Sequence, residues 1–258
     1  VVRAPRGKLH LMRMSRLVVL MAMACWAQAA GAQMESTQRQ VNPEADRLLR
    51  RMSDFLGQQK SFTVKVHGTT EAIQRSGQKI QVHSAGTVSV KRPDKLRIEK
   101  SGDDGSALIV CDGKTFTFYS KKQNGYVTSP ATGNLDVTLS RVQESGQVEM
   151  PGADLLYTDA YKGLMDDVIS GESLGRSLVD GVPTQHLAFR GRDVDWQIWI
   201  EEGARPLPRK YVITSKGIEG APEYEIKMSD WNLTPNLGDD LFRFQPPPGA
   251  QPLSGRMP

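Results

Sequence analysis

The chain predicts an α+β fold, a single domain whose large antiparallel sheet curls, with helices at its start and in its middle. Three observations predict it. Apolar and polar residues alternate with a period of two through most of the chain after Phe62, the pattern of strands with one dry face. Two stretches, 43–57 and 135–168, switch to helical spacing. No repeat, interdomain linker or low-complexity block divides the 258 residues, so the strands fall into one sheet wide enough to curl.

Residues 1–32 read as a removable signal peptide. Arg13 and Arg16 form a basic region and Leu17 to Ala24 an apolar run too short for a membrane span; Ala30-Gly31-Ala32 is an A-x-A cleavage site before Gln33. Translation is expected to begin at Val1 through an alternative start codon, or at Met12 or Met14. Cys25 raises the rival route of lipid anchoring. Ala22-Met-Ala-Cys25 argues against it, because the leucine usual three positions before a lipidated cysteine is missing.

Cleavage there changes the charge. Of 33 Lys and Arg, the leader holds Arg3, Arg6, Lys8, Arg13 and Arg16 and none of the 29 acids, which leaves 28 basic residues against 29 and a net charge of −1. Such a balance offers no basic footprint and excludes nucleic acid as a partner. It leaves Cys111 with no cysteine to pair with, so stability must come from a core. The expected layout is a short stretch at 33–41, a domain over 42–245 and a Pro-rich tail over 246–258, with no transmembrane segment after cleavage.

Within the domain, Asn42-Pro43-Glu44 opens a helix: an N-cap, a proline suited to the first turn and an acid at the positive end of the dipole. Leu48, Leu49, Met52, Phe55 and Leu56 share its apolar face and Gly57 ends it. Phe62, Val64 and Val66, then Ile80, Val82, Val88 and Val90, form a long hairpin about a turn at Ser76-Gly77. If that turn sets the register, residue 83 pairs with 70, and His67 and His83 fall on opposite faces. Strands follow at 96–99, 107–111, 115–119 and 126–128, separated by Asp103-Asp-Gly105, Asp112-Gly113 and Asn124-Gly125. Residues 135–168 read as two helices, the second carrying Leu156, Ala160, Leu164 and Val168 on one stripe. They form either plain core or a lid over a ligand cavity. Further strands are expected at 177–179, 184–190, 196–200, 211–214, 224–228 and 241–244. In the third of these, Trp196, Ile198 and Ile200 face inward and Trp199 outward.

One residue stands out in this pattern. Val88, Val90 and Arg92 share one parity, so a guanidinium ends an apolar face just where Pro93 stops the ladder. Arg92 is either a strand-end arginine snorkelling to water or a polar anchor at the mouth of a hydrophobic cavity. Catalytic constellations are not found. The sequence has no G-x-S-x-G elbow, P-loop or G-x-G-x-x-G, and His186, Asp193 and Asp195 read as a strand histidine and a turn pair. No catalytic residue, metal ligand or cofactor is expected.

Three segments carry a resemblance: Val90-Lys-Arg-Pro93 within 86–93, Asp112-Gly-Lys-Thr-Phe-Thr-Phe-Tyr119, and Phe242-Arg-Phe-Gln-Pro-Pro-Pro-Gly249. In order and spacing the chain resembles the LolA-like periplasmic lipoprotein carriers. In its middle, Pro151-Gly-Ala-Asp-Leu-Leu156, His186–Arg190, Asp195–Ile200 and Pro206–Lys210 resemble a family of predicted periplasmic proteins of unknown function that shares the fold. The resemblance implies a strongly curved antiparallel half-barrel with helices covering its concave apolar face, periplasmic localisation, and a cavity for the acyl chains of a lipid or acylated protein. It also implies that Arg92 keeps the cover closed. The expected ligand-binding residues are Arg92, Val88, Val90, Leu96, Phe116, Phe118, Leu156, Leu164, Trp196 and Ile198. Burying ten methylenes contributes roughly 8 kcal/mol before ordering costs, enough for micromolar affinity. The expected function is therefore a non-enzymatic binding protein. The alternatives are a structural or interaction protein of the envelope with a self-filled cavity, and an exported hydrolase using Asp193, Asp195 or His186.

Overall fold

The computed structural model describes residues 39–146, 148 and 150–253, so the expected leader and its cleavage site lie outside the described residues. Helix α1 (Pro43–Gly57) starts where the sequence places it. Asn42 Oδ1 accepts from the backbone N–H groups of Glu44 and Ala45 at 2.9 and 3.2 Å, satisfying two donors that the helix cannot. Ala45, Leu48, Leu49, Met52 and Leu56 are buried, with Ser53 among them.

The strands are β1 (Gln40–Val41), β2 (Ser61–Ile73), β3 (Lys79–Lys91), β4 (Lys95–Gly102), β5 (Gly105–Asp112), β6 (Thr115–Ser120), β7 (Gly125–Pro130), β8 (Val168–Val179), β9 (Val182–Gly191), β10 (Val194–Glu201), β11 (Pro208–Ser215), β12 (Glu223–Asn232) and β13 (Gln251–Pro252). They make one unclosed sheet in the order β1-β8-β9-β10-β11-β12-β2-β3-β4-β5-β6-β7-β13. Only the terminal pairs, β1 with β8 and β13 with β7, are parallel. From β2 the chain meanders outward to β7, crosses through the helical stretch to β8, and meanders back until β12 pairs with β2. Residues 40–41 and 251–252, outside the expected domain limits, thus supply the two ends of the sheet.

Side-chain alternation sorts one face of this sheet into the core. Val64, Val88, Ile98, Ile109, Phe118 and Val127 lie across one row of paired positions. Phe62, Val90, Leu96, Cys111 and Phe116 form the next. The core cluster joins these rows to Leu187, Phe189, Trp196, Ile198 and Tyr211 and to the buried faces of the helices. Trp196, Ile198 and Ile200 are buried, whereas Trp199 stacks on His186 outside the core at 4.0 Å between centroids, so the expected parity of β10 holds.

Three expectations are corrected. The hairpin β2–β3 pairs His83 with Thr69, one residue from the expected register. Its connection is a three-residue turn, Arg75–Gly77, in which Gly77 takes φ +83° and Gln74 and Gln78 still bond. The odd residue turns His67 and His83 to the same face. The second mid-chain helix is broken into a 3-10 turn, Ala153–Leu156, and a short α3 (Ala160–Met165), while Val168 already opens β8. Side chains break it: Thr158 N–H donates to Asp136, Tyr161 N–H to Ser53 Oγ at 2.8 Å, and Asp159 caps α3. The first helix of that stretch, α2 (Leu135–Ser145), forms as read. Residues 241–244 are not a strand. A 3-10 turn at Asp239–Phe242 rests on β4 and β5, with Phe242 buried and Phe244 against Tyr119 and Tyr126. This segment covers part of the face opposite the helices, where Ser89, Val110 and Thr117 are buried.

Candidate functional site

Every expected ligand-binding residue except Arg92 falls in the core or against it. Val88, Val90, Leu96, Phe116, Leu156, Leu164, Trp196 and Ile198 are buried members of one cluster, and Phe118 packs partly buried on its margin. They are brought together because β3, β4, β6 and β10 present the same face, while the 3-10 turn and α3 bring Leu156 and Leu164 down onto it. Of the continuation of this face, sequence reasoning placed only Phe118 in the site. Val66, Ile98, Phe118, Ile213 and Ile226 are half-exposed and continuous with the buried set. Their signal was parity alone, since each shares a strand face with a buried residue two positions away.

Arg92 stands where the sheet meets the helical stretch, its side chain only 10% exposed. Its Nη1 donates to Thr158 Oγ1 at 3.2 Å and its Nη2 to the Tyr157 carbonyl at 3.3 Å. The Asp136 carboxylate lies 3.8 Å from Nη1 and accepts the Thr158 backbone N–H at 3.1 and 3.2 Å. One arginine just past the end of β3 thus ties the link between the 3-10 turn and α3, with an acid from the first turn of α2 completing the joint. Burial lowers the guanidinium pKa and Asp136 opposes that shift. Its Nε is buried without a partner, a cost to this closed arrangement of about 1–3 kcal/mol.

Two further clasps hold the helices. Tyr161 of α3 bonds to Asp46 and Arg50 of α1, and the Arg50 guanidinium lies 3.8 Å from its ring centroid. Tyr157 donates to Gln143 of α2 at 2.7 Å.

The residues considered for hydrolysis do not assemble. His186 bonds Gln197 and stacks on Trp199, and Asp195 is 3.0 Å from Lys216. His186 pairs with Trp199, four residues from Asp195, which separates them by about 13 Å along the strands. Among the described residues no three His, Cys, Asp or Glu side chains group as metal ligands. No described helix is long and apolar enough to cross a membrane.

The model of the DUF2092 family, described as predicted periplasmic protein, matches residues 45–254. No curated protein matches the chain. Among solved structures, the chain is similar to an uncharacterized conserved protein from Thermus thermophilus at 15% identity, covering 81% of this chain and 98% of that one with a TM-score of 0.49. It is similar to the lipoprotein LppX of Mycobacterium tuberculosis at 15% identity, covering 76% and 100%, with a TM-score of 0.49. A LolA superfamily protein of Nitrosomonas europaea is similar at 16% identity, covering 78% and 97%, with a TM-score of 0.35. The family match spans the core, Arg92 and the mid-chain helical stretch together, and the chain belongs to the DUF2092 family of predicted periplasmic proteins.

Proposed function

We propose that this protein is an exported, non-enzymatic binding protein of the periplasm that holds acyl chains of a lipid or acylated protein. Its sheet curls as a half-barrel with α1, α2, the 3-10 turn and α3 as the cover of the concave face. The observation that carries the reading is the apolar face itself, which runs from the buried Val64, Val88 and Ile198 out to half-exposed Val66, Ile98, Phe118, Ile213 and Ile226. A long chain entering there gains about 0.8 kcal/mol per buried methylene. To go deeper it must displace the cover, and Arg92 is the group that governs that step. With its Nε unpartnered, the closed joint gives back part of what its other hydrogen bonds contribute.

The close packing of Val90, Leu96, Phe116 and Ile198 favours a second reading, an envelope interaction protein whose interior is filled by its own side chains. Titration with a fluorescent acyl probe separates them. Saturable micromolar binding that a long-chain alcohol displaces supports the carrier reading; a protein that binds no probe up to the probe's solubility limit, yet unfolds cooperatively, supports the second. Export with cleavage before Gln33 belongs to the same proposal. N-terminal sequencing of protein recovered from the periplasm is expected to begin at Gln33, and a retained Leu17–Ala24 segment or a lipidated Cys25 contradicts it.

A further inference from the structure

The exposed margin of the apolar face carries a small polar clearing. Gly68 is buried in β2 and pairs with Ile226 on one side and Ser84 on the other. A Cβ added there would stand 2.9 Å from Ser84 Oγ and 3.3 Å from the Tyr224 hydroxyl. Two hydroxyls therefore lean over a position with no side chain of its own. Tyr224 shares the face of Ile226 and Met228, as Ser84 shares that of Val88 and Val90. Neither hydroxyl has a hydrogen-bond partner among the described residues, although burial of Tyr224 pushes its phenol pKa up.

The clearing has an electrostatic border. Tyr211 lies diagonally from Tyr224 across the β11–β12 pairing, and the 3-10 turn begins over it, a Cβ on Gly152 standing 3.9 Å from the Tyr211 ring and 3.8 Å from Ile226. Two residues on, Asp154 is largely desolvated with no cation acting on it, which pushes its pKa up; it acts on Tyr211 and Tyr157 but not on Tyr224. Lys100, on the same face of β4, is held by Asp104 at 2.8 Å. With Lys100 taken up by Asp104, no unpaired cation stands beside the two hydroxyls among the described residues to receive an anionic head, whereas a neutral head with donors and acceptors suits them.

We propose that Ser84 and Tyr224, over Gly68, receive the head of the acyl ligand, and that this head is uncharged and hydroxyl-bearing, as in an acylglycerol. The inference rests on the acyl-binding reading and names its ligand class. The test is displacement of a neutral pyrene-labelled alkyl probe, at pH 7 and below micelle formation, by a monoacylglycerol and by the fatty acid of equal chain length. In the wild type the monoacylglycerol is expected to displace about tenfold more effectively, the worth of one to two net hydrogen bonds. Tyr224→Phe and Ser84→Ala are each expected to shrink that preference while leaving the probe bound, and Gly68→Ala to do the same by filling the clearing. Equal displacement by both ligands in the wild type, or a preference that survives in Tyr224→Phe and Ser84→Ala, overturns the head site. A wild type that binds no probe overturns the acyl-binding reading instead.

Discussion

At the scale of single residues the account turns on Arg92. Replacing it with leucine removes donors to Tyr157 and Thr158 and leaves Asp136 facing an apolar side chain. The closed state should lose about 1–3 kcal/mol, a five- to hundredfold shift toward open forms. Arg92→Lys should recover only part of this, because an ammonium cannot span two acceptors as the planar fork does. Probe titration and thermal unfolding of the three proteins decide it; identical affinities and stabilities would make Arg92 an ordinary strand-end residue. The parity of Val88, Val90 and Arg92 made this group legible in the sequence, but its acceptors lie 65 and 66 positions away, beyond any local pattern. His186 gives a prediction in pH. Burial, helped by Lys210 and opposed by Gln197, lowers its pKa from 6.5, so the unfolded chain takes up the proton first. Stability should fall as pH drops from about 6.5 toward the folded value and level off below it. His186→Gln should flatten urea midpoints across that window, and an unchanged slope would contradict the assignment.

At the scale of elements the helices are held together by side chains reaching from one to another. Ser53 is a buried polar residue on the apolar face of α1, and it accepts the Tyr161 backbone N–H at 2.8 Å. Ser53→Ala leaves that donor unsatisfied and is expected to cost about 1–3 kcal/mol. Hydrogen exchange should rise in α3 more than in the strands; a uniform rise across the sheet would place the effect elsewhere. The same contacts explain which elements were legible. α1 carries its own start and stop signals in Asn42, Pro43 and Gly57, and the structure follows them. The stripe Leu156, Ala160, Leu164 and Val168 is indeed buried, yet it is not one helix, because Asp136 and Ser53 capture backbone N–H groups that a continuous helix would use itself. The hairpin register failed for a smaller reason: one added residue in the Arg75–Gly77 turn shifts every partner by one.

At the scale of the molecule, the antiparallel meander and its inward face were readable from alternation, while the sheet order was not. The pairing of β12 with β2 joins segments some 160 residues apart, and nothing local encodes it. Phe242-Arg-Phe244 reads as a strand on the same alternation, but these residues pack on the face opposite the helices instead of joining the ladder. Phe242→Ala is accordingly expected to cost about 3–5 kcal/mol of stability while leaving probe affinity within twofold under conditions where the variant is folded; a large loss of affinity in the folded variant would place this segment in the site. The central claim, that the concave apolar face holds acyl chains, is tested most directly by native mass spectrometry of the protein extracted from periplasm without detergent. The account predicts a species heavier than the mature polypeptide that releases an acyl lipid on collisional activation. A single species at the bare polypeptide mass, unchanged after incubation with acylglycerol, would contradict it.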